Sequence, residues 1–144
     1  MFKYKTRQLL FLLMLVLTPL LMGMGSSGSG GSPGKIPIPA KKFTAIFIDQ
    51  ADVVTKVYDV SIEGGTFIEG KKGEGTFTIA FENIKYLNFL MSEGKLQCMI
   101  NLHDGNSLLL LVNKSQKAYG RTPYGTLQIL LSELKKMTIT RPGK

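Results

Sequence analysis

The chain has 144 residues, 44% of them hydrophobic, and carries a net charge of +8 from 18 Lys+Arg against 10 Asp+Glu. That length suits one domain and that apolar content can fill a core, which excludes a wholly disordered chain. With one cysteine, Cys98, and one histidine, His103, an internal disulfide and a Cys/His metal cluster are excluded too.

Lys3, Lys5 and Arg7 precede an uncharged apolar run, Leu9 to Met22, and small residues follow at Gly23 and Gly25 before Ser26. A basic start, an apolar stretch and small residues at the cut point predict a secretory signal peptide over 1–25. The run falls short of the roughly 20 residues that span a bilayer, and it contains Pro19. The alternative is an uncleaved N-terminal membrane anchor. Either way the rest of the chain is expected outside the cytoplasm, in the periplasm or the extracellular space. No cysteine sits at the cut point, so lipid attachment there is excluded. Without the three N-terminal cations the balance is 15 − 10 = +5, which favours an anionic surface without specifying nucleic acid.

Residues 26–42 are rich in Gly, Ser and Pro and cannot build a core. They predict a flexible coil stiffened by Pro37 and Pro39, a tether to a domain over 43–141. In that domain TAIFID (44–49) and VVTKVYDVSI (53–62) are strand-like. Gly64-Gly65 predicts a two-residue hairpin turn, and Lys72 to Gly75 another turn. TFTIAF (76–81) alternates Thr outward with Phe77 and Ile79 inward, a strand pattern. A single turn of 3₁₀ helix carrying Ile84 leads to a short strand over 86–90. Glu93-Gly94 and Asp104-Gly105 then separate KLQCMINL from SLLLLV. After a turn at Pro123-Tyr124-Gly125, strands over 126–131 and 136–140 flank a turn at Leu134. A helix over 127–137 is the alternative for this last segment, because Leu127, Leu130, Leu131, Leu134 and Met137 also fit a helical stripe.

GTFTIAFENIKYLNF (75–89) and GTLQILLSELKKMTI (125–139) read as one phrase written twice. A shift of fifty places Gly70 on Gly120, Gly75 on Gly125, Thr76 on Thr126, Ile79 on Ile129 and Lys85 on Lys135. Lys71 meets Arg121, and Tyr58, Val60 and Ile62 meet Leu108, Leu110 and Val112 without a gap. The expectation is an all-β domain of about ten short antiparallel strands, from two repeats of about fifty residues at 43–91 and 93–141. So small a unit buries little of itself, so two are expected to close into one pseudo-symmetric barrel or sandwich, connected as a continuous meander. In strand count, and in the turn before its last strand, the unit resembles a small SH3-like or Sm-like barrel. Two such barrels in tandem are the alternative, and the resemblance implies fold alone.

A catalytic constellation is not legible. His103 sits in HDGN, a solvated turn, and its neighbour Asp104 would point to the opposite face. Asp49, Asp52, Asp59, Glu63, Glu69 and Glu74 are scattered, and DQAD lacks the ligand spacing of a calcium loop. GKKGEG (70–75) lacks the helix that a phosphate-binding loop requires. Cys98 reads as a buried small hydrophobe. No cofactor is expected.

Charge leaves one candidate. Lys71, Lys72, Lys114, Lys117 and Arg121 fall at turns that the repeat makes equivalent or neighbouring, with Tyr119 and Tyr124 among them. Basic groups interleaved with rings can hold an anionic polymer, glycan or lipid headgroup, with nucleic acid disfavoured for an exported chain. The leading expectation is a non-enzymatic envelope protein, structural or binding another envelope protein. An anion-binding domain is the alternative.

Overall fold

Alternation with a period of two runs through the chain from Phe43 onward, and it folds as the strands that pattern demands. The computed structural model describes residues 35–140. The expected signal peptide over 1–25 and the first part of the tether lie outside the described residues. Ten antiparallel strands form: β1 (Thr44–Asp49), β2 (Val54–Ile62), β3 (Phe67–Lys72), β4 (Gly75–Ala80), β5 (Ile84–Ser92), β6 (Lys95–Leu102), β7 (Ser107–Val112), β8 (Lys117–Thr122), β9 (Gly125–Leu130) and β10 (Leu134–Thr140). Single 3₁₀ turns at Phe81–Asn83 and Leu131–Glu133 lead into β5 and β10, which therefore begin at Ile84 and Leu134. The helix alternative over 127–137 is overturned. Leu130 is extended, at φ −65° and ψ 143°, and β9 and β10 leave no room for a longer helix.

The strands join in one curled sheet, a half-barrel, in the order β4-β3-β7-β6-β5-β10-β1-β2-β8-β9. This is not the expected meander. β3 leaves β2 and pairs with β7, and β8 leaves β7 and pairs with β2. Two tandem barrels are excluded by the same pairs, because each joins a strand before Glu93 to one after it. The turn between β2 and β3 is Glu63-Gly64, with φ 49° and 85°, rather than Gly64-Gly65. Ile62 and Gly65 flank it and exchange both backbone hydrogen bonds at 2.9 Å, the signature of a two-residue turn with positive φ at both positions. Glu93-Gly94, with φ 51° and 75°, closes the β5–β6 hairpin in the same way.

The strand order reads identically backwards when every strand number is shifted by five. The register adds a detail. In β3–β5 and β8–β10 the correspondence is fifty residues, as in Phe89 to Ile139 (139 − 89 = 50). In the first strands it is different. Ala45 pairs with Val57 and Ile139, whereas Cys98 pairs with Leu110 and Phe89, so Ala45 corresponds to Cys98 (98 − 45 = 53). By place in the sheet, Leu110 beside Cys98 is matched by Val57 beside Ala45. Three extra residues lie between Tyr58 and Phe67, where the β2–β8 register shifts and Asp59 takes φ 50°. An extra residue on one strand of a pair bends it, and here the bend carries β2 from its partner β1 to its partner β8.

One core fills the concave side. Phe43, Ala45 and Phe47 of the first strand region face Leu87 and Phe89 of β5, Leu96, Cys98 and Ile100 of β6, and Leu134, Met137 and Ile139 of β10. Phe81, fully buried, meets Phe43 edge to face with ring centres 5.7 Å apart. Two inward positions are glycine for a packing reason. A Cβ on Gly70 would lie 2.8 Å from Leu110 Cβ and from Leu111 O, and one on Gly120 would lie 2.7 Å from Val57 Cβ. One inward residue departs from the sequence expectation. Phe77 is 42% exposed, because β4 ends the sheet and no further strand covers it.

Candidate functional site

The five basic residues singled out from sequence do not form one patch. Lys71, on the outer side of β3, and Lys114, just after β7, line a cleft of about 350 Å³ whose floor includes Leu96, Leu111 and Val112. Lys95, the first residue of β6, completes the cleft. Sequence reasoning missed Lys95. The signal was present, since the Glu93-Gly94 turn starts β6 there, and the pair Leu96–Val112 puts the preceding residue beside the loop that holds Lys114. Lys114 Nζ donates to Gly94 O at 3.1 Å, which ties that loop to the turn. Lys72, exposed, ends β3 at the same hairpin and does not line this cleft.

Lys117 and Arg121 belong to β8, near the other end of the strand order. The Lys117 backbone N–H donates to Glu63 Oε1 at 2.6 Å, and its carbonyl accepts from Glu63 N at 3.0 Å, which anchors the β2–β3 turn. Arg121 Nε lies 3.7 Å from Asp59 Oδ2, on the bend of β2. Arg121 and the fully exposed Tyr124 line a separate shallow cleft with Thr122 and Thr126. Tyr119, half-buried on β8, has its phenol pKa raised by burial and by the Glu63 carboxylate.

The remaining reactive groups are placed as follows. His103 is exposed, and its backbone N–H donates to Asn83 O at 3.0 Å. Asp104 holds the β6–β7 turn, accepting from the Asn106 backbone at 2.8 Å and the Asn106 side chain at 3.1 Å, and these bonds lower its pKa. Cys98 is buried, and desolvation pushes its thiol up to about 12, so the nucleophilic thiolate does not form at neutral pH. Asp49 Oδ1 caps the β1–β2 turn by accepting from Ala51 N and Val53 N, and Asp52 pairs with Lys135 at 2.6 Å. Among the described residues no three His, Cys, Asp or Glu side chains gather where they could hold a metal ion, and no helix is long and apolar enough to cross a membrane.

The sheet also offers two edges. β4 and β9 end the strand order, so each leaves one row of backbone groups without a strand partner. β4 reads GTFTIA and β9 reads GTLQIL. Neither contains a charged residue or a proline, the devices that ordinarily keep an open edge from pairing.

No curated protein and no solved structure matches the chain. Residues 39–142 match the model of a family described as "Uncharacterised protein", a span that takes in all ten strands, and the chain belongs to that family.

Proposed function

We propose that this is a non-enzymatic protein of the cell envelope whose β-domain binds another envelope protein by adding a strand of the partner to β4 or β9. The observation that carries the reading is the pair of uncharged, proline-free edges. In a two-residue hairpin the residues flanking the turn bond each other, so the next residue along turns its N–H and C=O away. With Lys72 opposite Gly75, and Thr122 opposite Gly125, Thr76 and Thr78 on β4 and Thr126 and Gln128 on β9 present those groups outward. An extended segment gains main-chain hydrogen bonds there, and the half-exposed Phe77 offers it an apolar contact. The export reading rests on the basic-then-apolar N-terminus and the Gly/Ser-rich stretch after it. The reversible strand order and the repeated phrase support descent from a duplicated unit of about fifty residues, which would explain two similar edges.

The test compares the wild-type chain with Thr78→Lys and Gln128→Lys as baits in envelope extract, washed at low and at high salt. A protein recovered by wild type at high salt and lost from one edge variant supports strand addition and names the partner. Recovery of the same proteins by wild type and both variants refutes it.

A further inference from the structure

The outer side of β5, β6 and β7 carries four large apolar side chains among polar ones such as Asn88 and Gln97, where a sheet face turned to water is ordinarily polar. Leu90, Met99, Leu109 and Leu111 are 63%, 38%, 44% and 41% exposed. Leu109 lies directly opposite Met99, whereas Gln97 lies between Leu111 and Leu90, and Asn88 lies on the other side of Met99. Lys71 pairs with Leu111 at the β3 side, so the apolar rows run directly into the lysine-lined cleft. Among the described residues Lys71, Lys95 and Lys114 have no carboxylate within ion-pair distance. Glu74 and Glu93, in the adjoining turns, do not line the cleft; Glu69, on β3, lines a neighbouring one with Lys71 and Leu111 and accepts from Thr78 Oγ1 at 3.2 Å.

We propose that this face docks on an anionic phospholipid surface, with Lys71, Lys95 and Lys114 meeting headgroup phosphates while Leu90, Met99, Leu109 and Leu111 enter the interfacial layer. The charge and the apolar rows together select that occupant. A small soluble anion neutralises the lysines and leaves four large apolar side chains in water. A purely apolar partner covers the leucines and leaves three cations unneutralised. An anionic bilayer surface satisfies both, since lysine stems lie along apolar surface while their ammonium groups reach the phosphates.

The other half of the sheet is an internal comparison. The residues corresponding to Leu109 and Leu111 are Lys56 and Tyr58 (109 − 53 = 56, 111 − 53 = 58), and the Lys56 ammonium sits 5.4 Å from the centre of the Tyr58 ring. Lys71 corresponds to Arg121, which has Asp59 beside it. The counterpart of Met99 is Ile46, also 38% exposed (99 − 53 = 46), so the halves differ at the positions of Leu109 and Leu111 and at Lys71, whose counterpart has a carboxylate beside it. The fold alone does not require the apolar face.

Among the described residues every member of the hydrophobic core lies between Phe43 and Ile139, so the chain from Ser26 retains all of them without the N-terminal apolar run. That chain is tested by co-sedimentation with vesicles of phosphatidylcholine, with and without phosphatidylglycerol, after its thermal melt has been shown to be cooperative. Binding is expected to the anionic vesicles and to fall as salt rises. One lysine near an anionic surface strengthens binding about five-fold, so the variant Lys71→Gln/Lys95→Gln/Lys114→Gln is expected to lose on the order of 100-fold. Leu90→Ser/Leu111→Ser is expected to weaken binding at every salt concentration, and Arg121→Gln to leave it unchanged. Equal binding to neutral vesicles, undiminished binding by the triple-lysine variant, or release by inorganic phosphate at constant ionic strength would each overturn the proposal, the last by showing a soluble-anion site instead.

Discussion

Replacing Gly120 with alanine tests the packing logic of the sheet more sharply than any truncation. The added Cβ would lie 2.7 Å from Val57 Cβ and 3.1 and 3.2 Å from its two methyl carbons. Carbon atoms rest at about 3.5–4.0 Å, so the two groups must separate by roughly 1 Å. The nearest atom is the Val57 Cβ, which no rotamer change moves, and Val57 is fully buried, so the strands themselves must shift. Overpacking of this kind costs about 1–3 kcal/mol. Alanine also restricts the unfolded chain, which returns about 0.4–1 kcal/mol. The net expectation is a loss of about 1–2 kcal/mol, or a fall in Tm of roughly 5–15 °C for a domain near 100 residues, read by calorimetry or circular dichroism. Gly70→Ala is expected to cost at least as much, because one of its contacts at 2.8 Å is a backbone oxygen that cannot swing away. Val57→Ala keeps the Cβ at 2.7 Å and removes only the methyl contacts at 3.1 and 3.2 Å, so combined with Gly120→Ala it is expected to relieve the overpacking only in part. A Gly120→Ala protein that melts at or above the wild type would refute the close approach of β8 to β2.

Ile79→Ala and Ile129→Ala are expected to cost only about 1–2 kcal/mol each, because both residues are half-buried on edge strands, against about 3–5 kcal/mol for the fully buried Phe81→Ala. Denaturant titration of the three variants ranks them, and an Ile79→Ala loss equal to that of Phe81→Ala would place β4 inside the sheet instead of at its edge. For Cys98 the unfolded thiol ionises near 9.0 and the folded one near about 12. Between those values the unfolded chain binds fewer protons than the folded one, so stability is expected to fall as pH rises through that window. Cys98→Ala should lessen this alkaline loss, and a thiol reagent at neutral pH should label the wild type only in denaturant. Rapid labelling of the native protein would show that the β6 core position is open.

The local grammar of this fold was legible, and its long-range pairing was not. Ten strands followed from period-two alternation punctuated by Glu-Gly, Asp-Gly and Gly-rich turns, since each signal is contained in a few consecutive residues. The crossings β2 to β3 and β7 to β8 were not, because nothing in a strand's own period says which distant strand it will join. The bend in β2 was hidden for the same reason: its pairing shifts between Tyr58 and Ser61, where its partner changes from β1 to β8. Phe77 obeys the alternation and still lies half in water, because burial depends on a neighbouring strand that is not there. Gly70 and Gly120 stood out as a repeated identity, but their cause, the approach of Leu110 and Val57, is a tertiary fact. Among the basic residues, Lys71 and Lys114 meet because β3 adds to β7, whereas Lys117 and Arg121 are carried away with β8.

The last strand in the chain occupies the middle of the sheet. β10 lies between β5 and β1, and without it the order falls into two separate pieces, β4-β3-β7-β6-β5 and β1-β2-β8-β9. During synthesis the hairpins can close as they emerge, but the two pieces stay unjoined until the seven residues from Leu134 to Thr140 are free of the ribosome. A sheet keyed by its final segment is dominated by contacts distant in sequence, which places it among slow folders, in the millisecond-to-second range. Joining of the two ladders therefore waits on β10, and a chain stopped before Leu134 lacks the one strand that pairs with both β5 and β1.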